Sequence, residues 1–241
     1  MTDLSLVVPA YNEAARIGLT LERAVSFLAS RPWSCEIWVV DDGSSDATAA
    51  RVEAFAAGPC RVRCLRHEKN RGKGYSVRQG IEAATGRWVG FMDADYKTDI
   101  AGLDTVVPLL EEGWDAVIGD RTLNSTQIVV ARRRFRQVGS IAFRHLVHRL
   151  VGLGQFGDTQ CGFKFFRREV ARDLFARQRI DGFMFDVEVL LLATRLAYRV
   201  RPVPVVWSDD PDSRFNPVSG GLRNLVELAC IRWQHRRLPG R

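Results

Sequence analysis

The amino-acid sequence predicts an α/β protein with a doubly wound, mostly parallel central sheet and helices on both faces. Two observations support this prediction: short apolar runs alternate with helical repeats through the first half of the chain, and polar clusters follow successive runs. The chain has 241 residues, of which 46% are hydrophobic and 26% are charged. This length and composition are typical of a single globular domain and exclude a disordered, collagen-like or disulfide-stapled protein.

The first half of the chain consists of repeated strand and helix signals. Residues 4–8 form a continuous apolar run, as expected for a strand that is covered on both faces, and Pro9 ends it. A helix opens near Asn12, and apolar residues then recur at helical spacing from Ile17 to Leu28. The later units are strands at 36–40, 62–66, 88–92 and 116–119 and helices at 47–56, 75–84 and 100–111. In such a sheet, ligands bind beyond the carboxyl ends of the strands, where the polar clusters lie.

The second half is less regular. Residues 126–150 predict a basic amphipathic helix, since arginines lie among apolar residues there. Residues 199–207 predict an edge strand, because Pro202 and Pro204 cannot donate backbone hydrogen bonds. The other predicted elements are a strand at 163–166, a buried helix at 187–197, a polar loop at 209–217 and a final basic helix at 222–234.

The net charge of +7 is divided unevenly between the two halves. Residues 1–120 contain 13 basic and 18 acidic side chains, whereas residues 121–241 contain 22 basic and 10 acidic ones. This pattern predicts an anionic partner for the second half: nucleic acid, an anionic membrane surface or a phosphorylated substrate. Nucleic acid is the least favoured of these, because the aromatic residues are not interleaved with the basic residues as a stacking platform.

Cysteine usage and hydropathy favour a cytoplasmic protein. The five cysteines are an odd number without a C-x-x-C pair, so we expect small buried thiols in a reducing compartment. No stretch reaches the ~18–20 uninterrupted apolar residues of a membrane span. We therefore expect a cytoplasmic location, at most peripheral on the cytoplasmic face of a membrane.

Asp93-Ala94-Asp95 is the sharpest local feature of the sequence. Two carboxylates one residue apart at the end of a buried strand repel each other unless a cation or a hydrogen-bond donor lies between them. Such oxygen ligands suit Mg²⁺ or Mn²⁺, which also take substrate phosphates as ligands. The alternative is a solvated acidic turn. The glycine-rich residues 70–74 fit neither a dinucleotide fingerprint nor a Walker A loop, which disfavours NAD-binding and P-loop functions.

Four motifs together resemble glycosyltransferase family 2 and its GT-A fold. They are residues 7–13 (VVPAYNE), 40–46 (VDDGSSD), 70–74 (NRGKG) and 93–95 (DAD), in the family's order and spacing. Residues 118–121, 158–164, 185–188 and 207–215 are similar to the branch of the family that acts on polyprenyl phosphates. The resemblance covers residues 4–235. It implies an inverting, metal-assisted transfer of glucose or mannose from a donor such as UDP-glucose or GDP-mannose to a polyprenyl phosphate.

The resemblance leaves the acceptor open. A polyprenyl phosphate supplies an oxygen that is already anionic near neutral pH, so its transfer needs no strong general base. A soluble phosphorylated molecule or a nascent glycan is the alternative acceptor. For a hydroxyl acceptor a base is required, and Asp158 or Asp186 is then the candidate.

The resemblance also implies roles for individual residues. Those expected to bind the nucleotide sugar are Pro9, Ala10, Tyr11, Glu13, Asp41, Asp42, Lys73, Asp93, Ala94, Asp95 and Arg214. Those expected at the reacting centre are Asp93, Asp95, Arg121, Asp158 and Gln160. Asp95 is the expected metal ligand, Asp93 a ribose or metal contact, and Asp42 the residue that recognises the base. Arg121 and Arg214 are expected to neutralise phosphates.

Two positions depart from the family pattern. In mannose-transferring members, a Gln two residues after the second Asp helps to bind the metal; here this position is Lys97, which cannot ligate. Thr98 and Asp99 are the candidates that compensate for it. Arg214 stands where lysine is usual and keeps the charge, so we expect it to grip a phosphate.

The resemblance divides the chain into a catalytic domain and a tail. We expect a GT-A domain over residues 1–221, with a nucleotide-binding half at 1–120 and an acceptor-binding half at 121–221. Residues 222–241 are expected to form a basic amphipathic helix and tail. The apolar faces of the basic helices are expected either to meet an anionic membrane or to cover the core or a homodimer interface.

Overall fold

The predicted parallel sheet is present in the computed structural model, which describes residues 2–55, 60–130, 134–208 and 217–236. Among these residues the strands are β1 (Leu4–Ala10), β2 (Cys35–Asp41), β3 (Arg61–Arg66), β4 (Trp88–Met92), β5 (Ala116–Gly119), β6 (Gln127–Val130), β7 (Phe163–Arg167), β8 (Val200–Val203) and β9 (Val206–Ser208). Seven of them form the central sheet in the order β3-β2-β1-β4-β7-β5-β8. Strand β7 runs antiparallel to both neighbours, and the other pairs of this sheet are parallel.

Helices cover both faces of this sheet, as the sequence predicts. In chain order they are α1 (Ile17–Ala29), α2 (Thr48–Glu53), α3 (Lys73–Ala83), a 3-10 turn (Ile100–Gly102), α4 (Leu103–Glu111), α5 (Arg134–Val151), α6 (Arg168–Arg177), α7 (Phe185–Arg195) and α8 (Pro217–Gln234). Apolar residues of α1, α2 and α4 form one buried cluster with the sheet. Those of α3, α5, α6, α7 and α8 form the other. The doubly wound α/β prediction is therefore confirmed.

The prediction of a single helix over residues 126–150 is wrong for its first part. Residues 127–130 are strand β6, which pairs in parallel with β9 in a separate two-stranded sheet. Helix α5 begins only at Arg134. A short apolar run does not distinguish helix from strand, and here the pairing with a strand far along the chain decides its conformation.

The predicted edge strand at 199–207 is two strands in two different sheets. Strand β8 lies at the edge of the central sheet, where Pro202 is tolerated, and β9 follows after Pro204. Helix α6 is absent from the expected elements, although it buries Val170, Leu174 and Phe175 at helical spacing. Of the loop predicted at 209–217, residues 209–216 lie outside the described part of the chain, and residue 217 begins α8.

The two basic helices pack one face onto the core. Val147 and Val151 on α5 and Leu228 and Ile231 on α8 belong to the buried cluster on one face of the sheet. These faces therefore cover the core, which is one of the alternatives that the sequence leaves open. Helix α8 runs through the expected boundary between residues 221 and 222.

Gly90 in β4 permits the close approach of β7. An ideal Cβ at Gly90 lies 2.1 Å from Phe165 Cδ1 and 2.5 Å from the carbonyl oxygen of Lys164. We expect Gly90→Ala to lower the free energy of unfolding by about 1–3 kcal/mol in urea denaturation, because the extra methyl group displaces its neighbours. The control is Gly18→Ala in α1, where nothing lies within 4 Å of the added Cβ. An unchanged midpoint for Gly90→Ala contradicts this account of the β4–β7 contact.

Candidate active site

The ends of β1 and β2 bring the first two motifs together. The paired strands end side by side, with Ala10 in register with Asp41. Asn12 adopts a positive φ of 54°, and its backbone N–H donates to Ser44 Oγ over 2.9 Å. In return, the backbone N–H of Ser45 donates to Asn12 Oδ1 over 2.9 Å. The segments that carry the two motifs therefore form one hydrogen-bonded unit at the carboxyl edge of the sheet.

The predicted nucleotide-binding residues of the first motif lie in this unit. Pro9 and Ala10 are buried at the end of β1, whereas the Tyr11 side chain is exposed. The Glu13 carboxylate forms a two-point ion pair with Arg16, with N···O distances of 2.6 and 2.7 Å. Contact of these residues with a nucleotide stays a prediction.

Asp42 connects the second motif to the third. Its carboxylate accepts hydrogen bonds from the backbone N–H groups of Arg71 and Gly72, at 2.9 and 2.8 Å, and contacts His67 Nδ1 at 2.8 Å. Asp41, fully buried, accepts from the backbone N–H of Ser44 at 3.0 Å. Asp42 therefore positions the glycine-rich segment, and its expected recognition of the base stays a prediction.

Four ion pairs lie close enough to affect one another's ionisation, and we call them the charged cluster. Its members and N···O distances are Lys73–Asp93 (2.6 Å), Lys97–Asp95 (3.1 Å), Arg121–Asp158 (2.5 Å) and Lys164–Asp186 (2.5 Å). The pairs also act on one another, since Asp93 experiences the charges of Lys164 and Arg121 as well as that of Lys73. The cluster thus joins residues from both halves of the chain, with every carboxylate matched by one cation.

The environment sets the ionisation of each pair. Burial alone would raise the pKa of Asp158, but the Arg121 guanidinium holds that pKa well below its usual range. Burial similarly opposes the charge on Lys73, yet Asp93 keeps the pKa of Lys73 raised. For Asp186 burial prevails and raises the pKa despite Lys164. Asp158 is therefore a weak proton acceptor at neutral pH.

The other predicted residues of the reacting centre are also located. Gln160 follows Asp158 and donates its backbone N–H to the Asp158 carboxylate over 3.1 Å. The nearby Cys161 is buried, and burial raises the pKa of its thiol to about 12, so this cysteine is unreactive. Arg214 lies outside the described residues.

The charged cluster contains two residues to which sequence reasoning gave no role or only a conditional one. Lys164 on β7 is fully buried; its ammonium donates to the Cys161 carbonyl oxygen over 2.7 Å and to Asp186 over 2.5 Å. A charged residue inside the apolar run FKFF was the available signal, because a lysine is almost never fully buried without a partner. For Asp186 the sequence predicts only a conditional role, as the base for a hydroxyl acceptor.

The donor set at the end of β4 fits a hard divalent cation. Asp93 and Asp95 supply the carboxylate oxygens that such an ion prefers. In this structure the ammonium groups of Lys73 and Lys97 pair with them. Of the candidates to replace the missing Gln, Asp99 caps the 3-10 turn by accepting the backbone N–H of Ala101 over 3.0 Å. Within the described part of the chain, no group of three His, Cys, Asp or Glu residues is arranged to hold a metal. Oxygens of a bound substrate are needed to complete such a site.

Comparisons with known sequences agree with this geometry. The family model described as "Glycosyl transferase family 2" matches residues 5–175. Proteins named dolichyl-phosphate beta-glucosyltransferase from Dictyostelium discoideum, Drosophila melanogaster and Saccharomyces cerevisiae are 34%, 36% and 32% identical to this chain. The alignments cover 95–96% of this chain and 74% of each relative.

Solved structures share the fold. Glucosyl-3-phosphoglycerate synthase from Mycobacterium tuberculosis, in complex with Mn²⁺, UDP and glucosyl-3-phosphoglycerate, superposes with a TM-score of 0.71 at 22% identity and covers 97% of this chain and 80% of that one. TarS 1–349 from S. aureus, in complex with UDP-GlcNAc, has a TM-score of 0.62 at 17% identity, with coverages of 99% and 68%. These likenesses confirm the GT-A architecture.

The low pKa of Asp158 predicts acid sensitivity. Because the folded-state pKa lies below the unfolded value of about 3.9, the ionised carboxylate stabilises the fold above that pH, and this contribution is lost as the pH falls through the folded pKa. We expect Asp158→Asn to cost about 1–3 kcal/mol of unfolding free energy at neutral pH, since Arg121 loses its counter-ion. Urea denaturation from about pH 5 to about pH 2 should then show a shallower loss of stability than in the wild type.

The matched control is Glu22→Gln, which removes an exposed carboxylate on α1. This control should follow the wild-type pH dependence. Equal slopes for Asp158→Asn and the wild type contradict a stabilising role of the ionised Asp158.

Proposed function

Since this chain belongs to glycosyltransferase family 2, we propose that it transfers glucose from UDP-glucose to a polyprenyl phosphate. The names of its relatives, dolichyl-phosphate beta-glucosyltransferases at 31–36% identity, support glucose and a lipid phosphate. Structures with the same fold were crystallised with UDP and with Mn²⁺, which makes these the first nucleotide and metal to test. Mannose from GDP-mannose is the alternative donor.

One observation carries the acceptor assignment: each carboxylate of the charged cluster already has a cationic partner. Arg121 keeps Asp158 ionised and makes it a weak proton acceptor. Burial raises the pKa of Asp186, but this carboxylate is buried against Lys164 and is 3% exposed, so an acceptor hydroxyl cannot reach it. A hydroxyl acceptor needs a base to take its proton during attack. A phosphate oxygen is already anionic near neutral pH and needs none, so a cluster without a free base favours a phosphate acceptor.

The reaction forms one bond and breaks one. An acceptor phosphate oxygen attacks C1 of glucose on the face opposite the diphosphate, the bond from C1 to the diphosphate oxygen breaks, and UDP leaves with inversion at C1. Negative charge grows on the departing diphosphate. Lys73 and Arg121 supply positive charge in a partly desolvated site, where it stabilises that transition state most strongly. Asp95, assisted by Asp93, would hold a divalent ion, whose contribution when bound is Lewis-acid stabilisation of the diphosphate.

The proposal extends to a membrane-facing surface on α8. Leu222, Val226 and Trp233 are 57–68% exposed and share one side of this helix, opposite the buried Leu228 and Ile231. Arg223 and Arg232 flank this stripe. Tryptophan and arginine around an apolar stripe are typical of a helix that lies in the interface of an anionic bilayer. In the described part of the chain, no helix has the length and apolar character needed to cross a membrane. The exposed apolar stripe and its flanking arginines support our proposal of peripheral attachment at the cytoplasmic face of a membrane.

The donor and acceptor are tested by one assay. The wild type is incubated with labelled UDP-glucose, GDP-mannose or UDP-N-acetylglucosamine, with Mg²⁺ or Mn²⁺, and with a short polyprenyl phosphate or the matching polyprenol. We expect product from UDP-glucose and the phosphate only. Asp95→Asn should lower turnover by about 100-fold or more because the diphosphate charge loses its stabilisation, while circular dichroism stays unchanged.

The control is Asp104→Asn, which breaks the surface ion pair with Arg31 and should leave turnover near the wild-type rate. Transfer to polyprenol at a rate comparable to that with polyprenyl phosphate contradicts the assignment of a phosphate acceptor. Absence of turnover with every donor contradicts the proposed reaction.

The membrane surface is tested by vesicle flotation. We expect the wild type to float with vesicles that contain phosphatidylglycerol, and Val226→Asn/Trp233→Gln to float at least about fivefold less, because the variant loses apolar area that the bilayer buries. Leu19→Gln removes an exposed leucine from α1 and should float like the wild type. If the wild type fails to float and instead dimerises through this stripe in sedimentation experiments, the surface is a homodimer interface and the membrane assignment is wrong.

A further inference from the structure

Lys97 blocks the carboxylate that is expected to ligate the metal. Its ammonium lies 3.1 Å from Asp95 Oδ2, and its backbone N–H donates to Asp95 Oδ1 over 3.3 Å. Both side chains are largely buried, at 19% and 17% exposure. Both oxygens of Asp95 are therefore engaged by one residue.

An ammonium group and a divalent cation cannot occupy the same side of a carboxylate oxygen. Like charges a few ångströms apart repel strongly where water is partly excluded. A metal that binds Asp95 at Oδ2 therefore has to displace the Lys97 ammonium, and one that binds at Oδ1 is repelled by it. By contrast, Lys73 is held on the other carboxylate, Asp93.

The backbone around Lys97 is fixed, so the displacement is confined to the side chain. The Lys97 carbonyl oxygen accepts the backbone N–H of Ser208 over 2.8 Å, which ties the loop to β9. Tyr96 adopts a positive φ of 52°, and its hydroxyl donates to Asp99 over 3.1 Å. A long lysine side chain on this anchored turn can change partner without moving β4.

We propose that Lys97 is a resident cation that leaves Asp95 when a divalent ion binds, and that the donor diphosphate receives the displaced ammonium. This inference rests on the proposed function, because it assumes a diphosphate donor at the site. It couples the two ligands: metal alone has to expel Lys97 without a new partner for it, whereas metal with nucleotide gives the ammonium an anion to pair with. Lys97 is then a positioning residue that makes metal binding depend on the donor.

Binding of Mn²⁺ alone tests this inference, with free Mn²⁺ followed by electron paramagnetic resonance in the presence and absence of UDP. We expect Lys97→Gln and Lys97→Met to bind Mn²⁺ about threefold to tenfold more tightly than the wild type without UDP, because the competing ion pair is gone. The factor by which UDP tightens Mn²⁺ binding should shrink by a similar amount. Lys97→Arg keeps the cation and should stay close to the wild type.

Arg61→Gln controls for the change in net charge. It removes an exposed positive charge at the amino end of β3, away from the carboxyl ends of the strands where the site lies. It should not change Mn²⁺ affinity. Unchanged or weaker Mn²⁺ binding in both Lys97→Gln and Lys97→Met overturns the inference, as does the absence of Mn²⁺ binding in every variant. This measurement contains no sugar and no acceptor. Its result therefore does not depend on whether the transfer assay succeeds, and the two proposals can fail separately.

Discussion

Charge matching in the charged cluster is the constraint on which the site depends. Four carboxylates lie together at the carboxyl edge of the sheet, and each has its own cation within hydrogen-bonding distance. Removal of one partner leaves an uncompensated charge in a poorly solvated place, which is costly. A donor diphosphate and a divalent ion bring charges of both signs, so they can enter by exchange of partners. Under the proposed function, a divalent ion and a donor diphosphate therefore complete the cluster together.

Strand β7 supplies half of this arrangement. Strand β7 lies antiparallel between β4 and β5, which brings Lys164 in register with Phe91, one residue before the end of β4. From this position the Lys164 ammonium contacts Asp186 on α7. The turn before β7 passes close to β4: an ideal Cβ at Gly162 lies 2.2 Å from the Asp93 carboxylate. Any larger residue there forces that carboxylate away. The second half of the chain is therefore held on the first by the pairing of β7 with β4, which also brings the charges of Lys164 and Arg121 close to Asp93.

Sequence reasoning located most of the elements that have a local pattern, although it missed α6, and it failed where pairing is distant. Strands β4 and β5 have the predicted bounds, because buried parallel strands are apolar runs that polar residues end. Strand β6 was assigned to a helix, since its partner β9 lies far along the chain. Lys97 departs from the family pattern in the sequence, but its ion pair with Asp95, two residues away, is seen only in the structure. Lys73–Asp93 and Lys164–Asp186 depend on tertiary packing, which spacing in the sequence does not reveal.

The excess of positive charge in the second half acquires a structural meaning through α8. Helix α8 contacts both ends of the first turn of α7, which carries Asp186. Glu227 accepts the backbone N–H of Met184 over 3.0 Å, and His235 contacts Glu188 at 2.6 Å. The side of α8 that faces away from the core exposes apolar residues between arginines. A polyprenyl chain is too apolar to leave the bilayer, so the reacting centre has to approach the membrane surface. In the proposed membrane-bound state, the face of α8 that contacts lipid lies opposite the face that packs on the core beside Asp186. Arginines at its flanks then favour an anionic leaflet.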